Sequence, residues 1–362
     1  MDRLEEIKSA AEKLPAISED AIGKLCQSLP RLVQLVNEKF LIEDKFCCGK
    51  PLDKHMEMVK DIHKNFGDVL LAVYQFSLYD ALIDEFAWIV STLFYRDFEK
   101  DYFSKMLNAW IMAVHGTIEP SCSRELIQPL RFLERNLSVF LKNWDISAKL
   151  ENENQEEFMN LLLEKRRRDA TDYTISLLER GNSPDDLCHG ILVPAMKQIG
   201  LLWQKNQITA SDEHAAAEIT RYIIFRLCDS IPRKQALPFR ALVSCVPGEE
   251  HELGAEMVAS YLESQGWTVY FTGHSAPDED IIVVISRYKP EVIFLTSTLI
   301  SNLHSTVELS KRIRQTVPGS KIILGGYAVV LAKRRMQEFA DAIIADYREA
   351  PLTAIKLLKG NA

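Results

Sequence analysis

The sequence is short of most features that would place it quickly. It has no uninterrupted apolar run approaching the roughly twenty residues that cross a bilayer, so neither a transmembrane helix nor a membrane partner is expected. Residues 1–20, MDRLEEIKSAAEKLPAISED, lack the basic-then-apolar order of a secretory signal and read as an acidic amphipathic helix. The seven cysteines, Cys26, Cys47, Cys48, Cys122, Cys188, Cys228 and Cys245, are odd in number and show no Cys-x-x-Cys spacing. Reduced thiols in a cytoplasmic protein are the simplest expectation. Positive charge is in deficit, with 43 Lys and Arg against 51 Asp and Glu and a net charge of −8, which argues against a broad phosphate-binding surface and against direct nucleic-acid binding. The basic runs at 165–168 and 333–335 are short and read as solvated helix faces. A glycine-rich phosphate loop, a zinc-ligand cluster and a serine nucleophile elbow are all missing.

What is there is an ordinary globular composition, 47% apolar and 26% charged over 362 residues, long enough for two or three domains. Helical periodicity runs to about residue 232. Beyond residue 239 short apolar runs alternate with helical segments, the break falling at IPRKQALP, 231–238. A polar stretch at 144–157 divides the helical part, giving an expected helical sensory or interaction domain at 1–143, a helical cap at 150–235 and a third domain at 238–362.

The first part is rich in aromatics at spacings that fit packed helices, and these read first as a helical core, with a sensory pocket or dimer surface as the other reading. His115 lies on an apolar helix there. It could ligate haem in a globin-like module, but a satisfied core histidine is the expected reading. The second part predicts helices at 156–180, 184–206 and 211–230, with Gly181 ending the first, Ser183 and Pro184 opening the second, and Thr209 or Ser211 capping the third. A helix borrowed from about 123–142 would complete a four-helix bundle. The third part predicts strands at 239–245, 268–272, 291–296, 321–325 and 341–346 with helices between them, hence a five-stranded parallel, Rossmann-like sheet covered on both faces. Ligands of such sheets bind at the carboxyl edge of the strands.

At that edge, after the first strand, PGEEHELG sets Glu249, His251 and Gly254 as Glu-x-His-x-x-Gly. Three fixed positions in six recur by chance. After the third strand stands Ser297-x-Leu299 and after the fourth Gly325-Gly326, with forty-two residues between Gly254 and Ser297 and twenty-five between Leu299 and Gly325. This set resembles the cobalamin-binding fold of flavodoxin type, whose signature is Asp-x-His-x-x-Gly, Ser-x-Leu and Gly-Gly at comparable intervals. The resemblance implies His251 as the lower axial ligand of cobalt, with Glu249 fixing its tautomer and basicity. It also implies Ser297 as a hydrogen-bond partner of the displaced benzimidazole, and Gly325 and Gly326 as room for the nucleotide tail. Glu249 stands where the family usually has Asp, one methylene longer.

A second signature, Trp203 followed by nine residues and then Glu213-His214, lies in LLWQKNQITASDEH. It resembles the helical cap of cobalamin-dependent photoreceptors of the carotenoid-repressor type. The resemblance spans about 155–346 and implies that Trp203 shields the upper corrin face while Glu213 and His214 make polar contacts there. Packing between helices is the bland reading of Trp203 and His214. Two departures limit the likeness: Gln204 replaces the histidine that ligates cobalt in illuminated photoreceptors, leaving His214 as an alternative upper ligand, and residues 1–143 do not resemble their helix-turn-helix. The function implied is a cobalamin-binding sensor or regulator holding adenosylcobalamin, methylcobalamin being the other form, and signalling through the N-terminal helices to a protein partner or a second copy in a homo-oligomer. The rival is a corrinoid carrier for a methyltransferase system; a self-contained mutase lacks its substrate barrel here.

Overall fold

A computed structural model of the chain describes residues 3–46, 56–142, 149–232, 234–274 and 276–360. Cys47, Cys48 and Trp144, which the sequence reading named, lie outside the described residues. The chain divides into two compact units, Met1–Asp145 and Ile146–Ala362. Among the described residues no helix is long and apolar enough to cross a membrane.

Among its described residues the first unit holds six helices: α1 (Arg3–Ala11), α2 (Glu19–Phe46), α3 (Met56–Phe76), α4 (Tyr79–Phe94), α5 (Lys100–Thr117) and α6 (Pro120–Phe140). Its aromatics form the core, with Phe66, Phe86, Phe103, Trp110 and Phe140 fully buried. Gly67 lets α3 and α5 close up, since a Cβ there would stand 2.8 Å from the Trp110 ring. An imidazole is sealed inside: His63, wholly buried, pairs Nδ1 with Asn37 Oδ1 at 2.7 Å and Nε2 with the Tyr102 hydroxyl at 3.1 Å. His115 corrects the sequence reading, because it is an exposed residue of α5 whose ring nitrogen meets Ser123 Oγ at 3.4 Å, neither a core residue nor a pocket ligand.

The bundle in the second unit also differs from expectation. The segment at 123–142 belongs to α6 and packs within the first unit against α1, α2, α4 and α5. Four helical stretches arise instead from the second unit alone, because the helix expected at 156–180 breaks in two, α7 (Glu153–Leu163) and α8 (Arg167–Glu179). The break is a reversal at Lys165, with φ of 57°, where the amides of Lys165 and Arg166 cap the carbonyls of Leu162 and Leu161. Next come α9 (Pro184–Leu187), a π turn at Cys188–Leu192, and α10 (Val193–Gln204). Pro194 has no N–H to donate back to Gly190, and the buried Gln155 side chain supplies that bond at 2.8 Å. The last helix, α11 (Ala210–Asp229), opens on a capping box in which Thr209 and Asp212 bond each other's backbone. The basic run at 165–168 is absorbed structurally: Lys165 reaches Asp212 at 2.8 Å, Arg166 pairs with Asp169 at 2.7 Å and Arg167 lies over the Tyr222 ring.

The sheet is parallel, ordered β2-β1-β3-β4-β5, from β1 (Arg240–Cys245), β2 (Thr268–Phe271), β3 (Val292–Thr296), β4 (Lys321–Gly325) and a two-residue β5 (Ala342–Ile343), shorter than the run at 341–346 suggests. Its inner strands are buried on both faces, which is why they read as unbroken apolar runs. Between and after them run α12 (Leu253–Ser264), α13 (Asp278–Tyr288), α14 (Leu303–Thr316), α15 (Tyr327–Leu331), α16 (Lys333–Met336) and α17 (Ala350–Lys359). The linker residues at 234–238 are strapped to the end of α12 and the turn after it by Lys234 N bonding Ser264 O and Leu237 N bonding Gly266 O, at 2.8 and 2.7 Å. The bundle core continues into α12 through Met257, with Leu253 and Tyr347 packed against it, so cap and sheet share one apolar seam.

Candidate functional site

The register aligns three loop starts. Cys245 pairs with Thr296 and Thr296 with Gly325, so β1, β3 and β4 end side by side and their following loops meet at one edge. The strand order reverses between β1 and β3, and such a switch point opens a crevice beyond the carboxyl ends.

Glu249 is the hub. Its side chain is wholly buried, yet it gathers five hydrogen bonds: His251 N at 3.0 Å and His251 Nδ1 at 2.6 Å on one oxygen, Thr298 N at 2.7 Å, Leu299 N at 3.1 Å and Asn302 Nδ2 at 3.1 Å on the other. Burial alone would push this carboxyl up, but the His251 contact and the backbone donors outweigh it and hold the group down at about 2. Glu249 is therefore an anion that ties the loop after β1 to the loop after β3. The extra methylene relative to aspartate costs it no contact with the imidazole.

His251 keeps 56% of its side chain exposed while its Nδ1 points at that anion. The Glu249 bond raises its pKa, against desolvation. With Nδ1–H committed to the carboxylate, the lone pair belongs to Nε2, on the exposed side, which is the tautomer a metal ligand needs. The Cys245 thiol at this edge does not compete, since burial pushes it up to about 11 and keeps it neutral.

The glycines divide by role. Gly326 adopts φ of 96°, and a Cβ there would stand 2.3 Å from the Ser297 carbonyl oxygen, so the protein itself demands glycine where the β3 and β4 loops cross. At Gly325 a Cβ would meet Ile344 at 3.5 Å, ordinary contact, and at Gly254 nothing within 4 Å. Ser297 is fully buried, and its hydroxyl donates to the Leu299 carbonyl at 3.3 Å. Leu299 and, just past the glycine pair, Tyr327 are exposed, 36% and 63%. Around the exposed His251 imidazole the edge thus presents open space at Gly254 and apolar side chains, a surface fitted to a large flat metal complex.

The cap residues flank a tight connection. Trp203, half-buried, is the penultimate residue of α10; Glu213 closes the first turn of α11 and His214 opens the second, with His214 Nδ1 3.0 Å from Glu213 and its side chain 74% exposed. Gln204 is buried, at 4%. Glu213 belongs to the same electrostatic environment as His251, whose pKa its charge helps to raise. The sequence motifs omitted Asn302, which lies five residues past Ser297 and bonds both Glu249 and the Gly248 carbonyl, and Tyr327, whose position directly after Gly325-Gly326 was the available signal.

Comparison with known proteins accords with this geometry. Residues 239–356 match the B12 binding domain, and residues 155–227 match a second B12 binding domain description; residues before 155 are matched by neither. The HTH-type transcriptional repressor CarH of Myxococcus xanthus is 25% identical over 139 residues, 38% of this chain and 46% of that protein. CarA of the same organism is 27% identical over 109 residues, 30% of this chain and 36% of that protein. The chain thus spans less than half the length of either repressor. Dimethylamine corrinoid protein 1 of Methanosarcina acetivorans is 23% identical over 184 residues, 49% of this chain and 82% of that protein. Among solved structures, the Methanosarcina barkeri monomethylamine corrinoid protein aligns with a TM-score of 0.49 at 15% identity, covering 57% of this chain and 98% of that one. With two adjoining B12 binding domains across most of residues 155–356, the chain belongs to the cobalamin-binding proteins.

Proposed function

We propose that the protein is a cobalamin-dependent sensor that holds adenosylcobalamin between the sheet edge and the cap, and that residues 1–145 relay the state of that site to a protein partner or a second copy of the chain. Bound there, the cofactor would supply a cobalt–carbon bond whose cleavage changes what the cap packs against. His251 offers Nε2 to the metal from below and Glu249 holds the ring's tautomer. Ser297 and the Gly325-Gly326 turn form the floor on which the nucleotide tail lies, and Leu299 adds apolar contact. Trp203 shields the upper face, and Glu213 and His214 present polar atoms to it, His214 being the candidate upper ligand in place of the residue that is Gln204 here. The observation that carries this reading is geometric: His251 sits exposed at the sheet edge with Nδ1 2.6 Å from the wholly buried Glu249, and the core of the cap runs into α12 just beyond it through Leu253 and Met257.

The helical, aromatic first unit and the net charge of −8 favour output through protein contact over nucleic acid. Among the described residues the unbridged Cys122, Cys188, Cys228 and Cys245 suit a reducing cytoplasm. A second reading, a corrinoid carrier passing methyl groups between methyltransferase subunits, is favoured by the likeness to the dimethylamine corrinoid protein over 82% of that protein's length.

The two readings separate in one experiment. The protein is loaded in the dark with adenosylcobalamin or methylcobalamin, and its absorbance and molecular mass are recorded before and after green light. A change of mass or shape confined to the adenosyl form supports the sensor. Clean reduction to Co(I) and remethylation, without any light-dependent change of shape, supports the carrier and contradicts the sensor.

A further inference from the structure

Cap and sheet domain also meet through charge at a place outside both motifs. Arg221 of α11 sets Nε 3.5 Å from Glu252 Oε1 and Nη2 2.8 Å from Glu218 Oε2. Glu252 directly follows His251, is only 12% exposed in its side chain, and takes His274 Nδ1 on its other oxygen at 2.9 Å, from the loop after β2. Burial raises the pKa of Glu256, one turn into α12, and the charge of Arg221 offsets part of that rise. One guanidinium therefore pairs with Glu218 on its own helix and Glu252 across the seam.

Arg221 stands two turns, about 12 Å, along α11 from Glu213. The ion pair thus ties α11 to the residue that follows His251 in the loop after β1. We propose that Arg221 is a positioning residue: through Glu252 it sets how closely α11 lies over the exposed side of His251, and thereby controls access to the upper face of the cofactor. The proposal rests on the cobalamin reading above.

Removing the guanidinium leaves Glu218 on one side of the seam facing Glu252 and Glu256 on the other, with His274 as the remaining partner of Glu252. Like charges in a partly dry seam repel, and α11 moves outward. Leu253 and Met257 still join the bundle core, so the cap loosens without detaching.

The test uses the full chain loaded with aquacobalamin, following displacement of the cobalt-bound water by azide, a ligand exchange without electron transfer. Arg221→Gln is expected to speed that exchange about three- to tenfold, the range for losing a half-buried ion pair, with the absorbance of the loaded protein before azide unchanged. Arg221→Lys, which keeps the charge, restores most of the slow rate, whereas the uncharged and similarly long Arg221→Met does not, which separates charge from bulk. Glu252→Gln, breaking the contact from its other end, speeds the exchange likewise and serves if Arg221→Gln fails to fold. Equal exchange rates in wild type and the folded variants overturn the proposal. Failure of the wild type to take up any cobalamin would instead overturn the functional reading; amide hydrogen exchange across α11 in cofactor-free protein then decides the strut separately, faster exchange in Arg221→Gln supporting it and equal exchange contradicting it.

Discussion

His251 Nδ1 stands 2.6 Å from a carboxylate oxygen of Glu249, a side chain with no exposed surface. The anion survives burial because backbone donors from Thr298 and Leu299 and the Asn302 amide share it. Glu249→Gln removes the charge and turns an amide group toward those donors. It should weaken cobalamin binding about 10- to 100-fold, the usual penalty for disturbing the partner of a ligating histidine. Absorbance titration with aquacobalamin measures it, and wild-type affinity in the variant would show that the carboxylate does not serve the ligand.

The glycines give a prediction in opposite directions. Gly326→Ala forces a Cβ against the Ser297 backbone at a left-handed φ, so cofactor-free protein should lose at least about 2 kcal/mol, read as a lowered Tm. Gly254→Ala meets nothing, and its stability should stay within about 0.5 kcal/mol of wild type while cobalamin uptake weakens, because the new methyl enters the space beside His251. Equal Tm values for wild type and Gly326→Ala would contradict the strained crossing of the two loops.

The first unit should lose stability in acid through His63. Burial lowers its pKa from 6.5 to about 4, so the unfolded chain binds a proton that the folded one refuses between those values. Its neutral form costs nothing above pH 6.5. Below that the folded state loses ground progressively, by up to about 3 kcal/mol near pH 4. Glu85, which burial raises to about 7, slopes the other way as pH climbs from 4.5, so the comparison needed is wild type against His63→Gln, in which Glu85 cancels. Amide exchange on α3 in the full chain reads it: the variant should gain on wild type as pH falls, and parallel profiles would contradict the assignment.

The sheet was legible because strands buried on both faces, such as Val292–Thr296, leave unbroken apolar runs between turn residues. The edge motifs were legible because loops after aligned strands meet whatever their separation along the chain. The bundle was less so. A left-handed turn at Lys165 carries no glycine to announce it, and the apolar stripe of α6 looks alike whichever unit it packs in. Asn302, Arg221 and Glu252 went unread for a different reason: each acts on a partner far away in sequence, and such pairs follow no local period.

The most direct measurement of the central claim is the electron paramagnetic resonance of the Co(II) form, with histidine uniformly labelled with nitrogen-15 and the cofactor left unlabelled. If His251 ligates cobalt, the superhyperfine pattern from the axial nitrogen changes from triplets to doublets on labelling, and His251→Ala abolishes the doublets. Triplets that persist in labelled wild-type protein would mean that the cofactor's own base, and not His251, holds the metal.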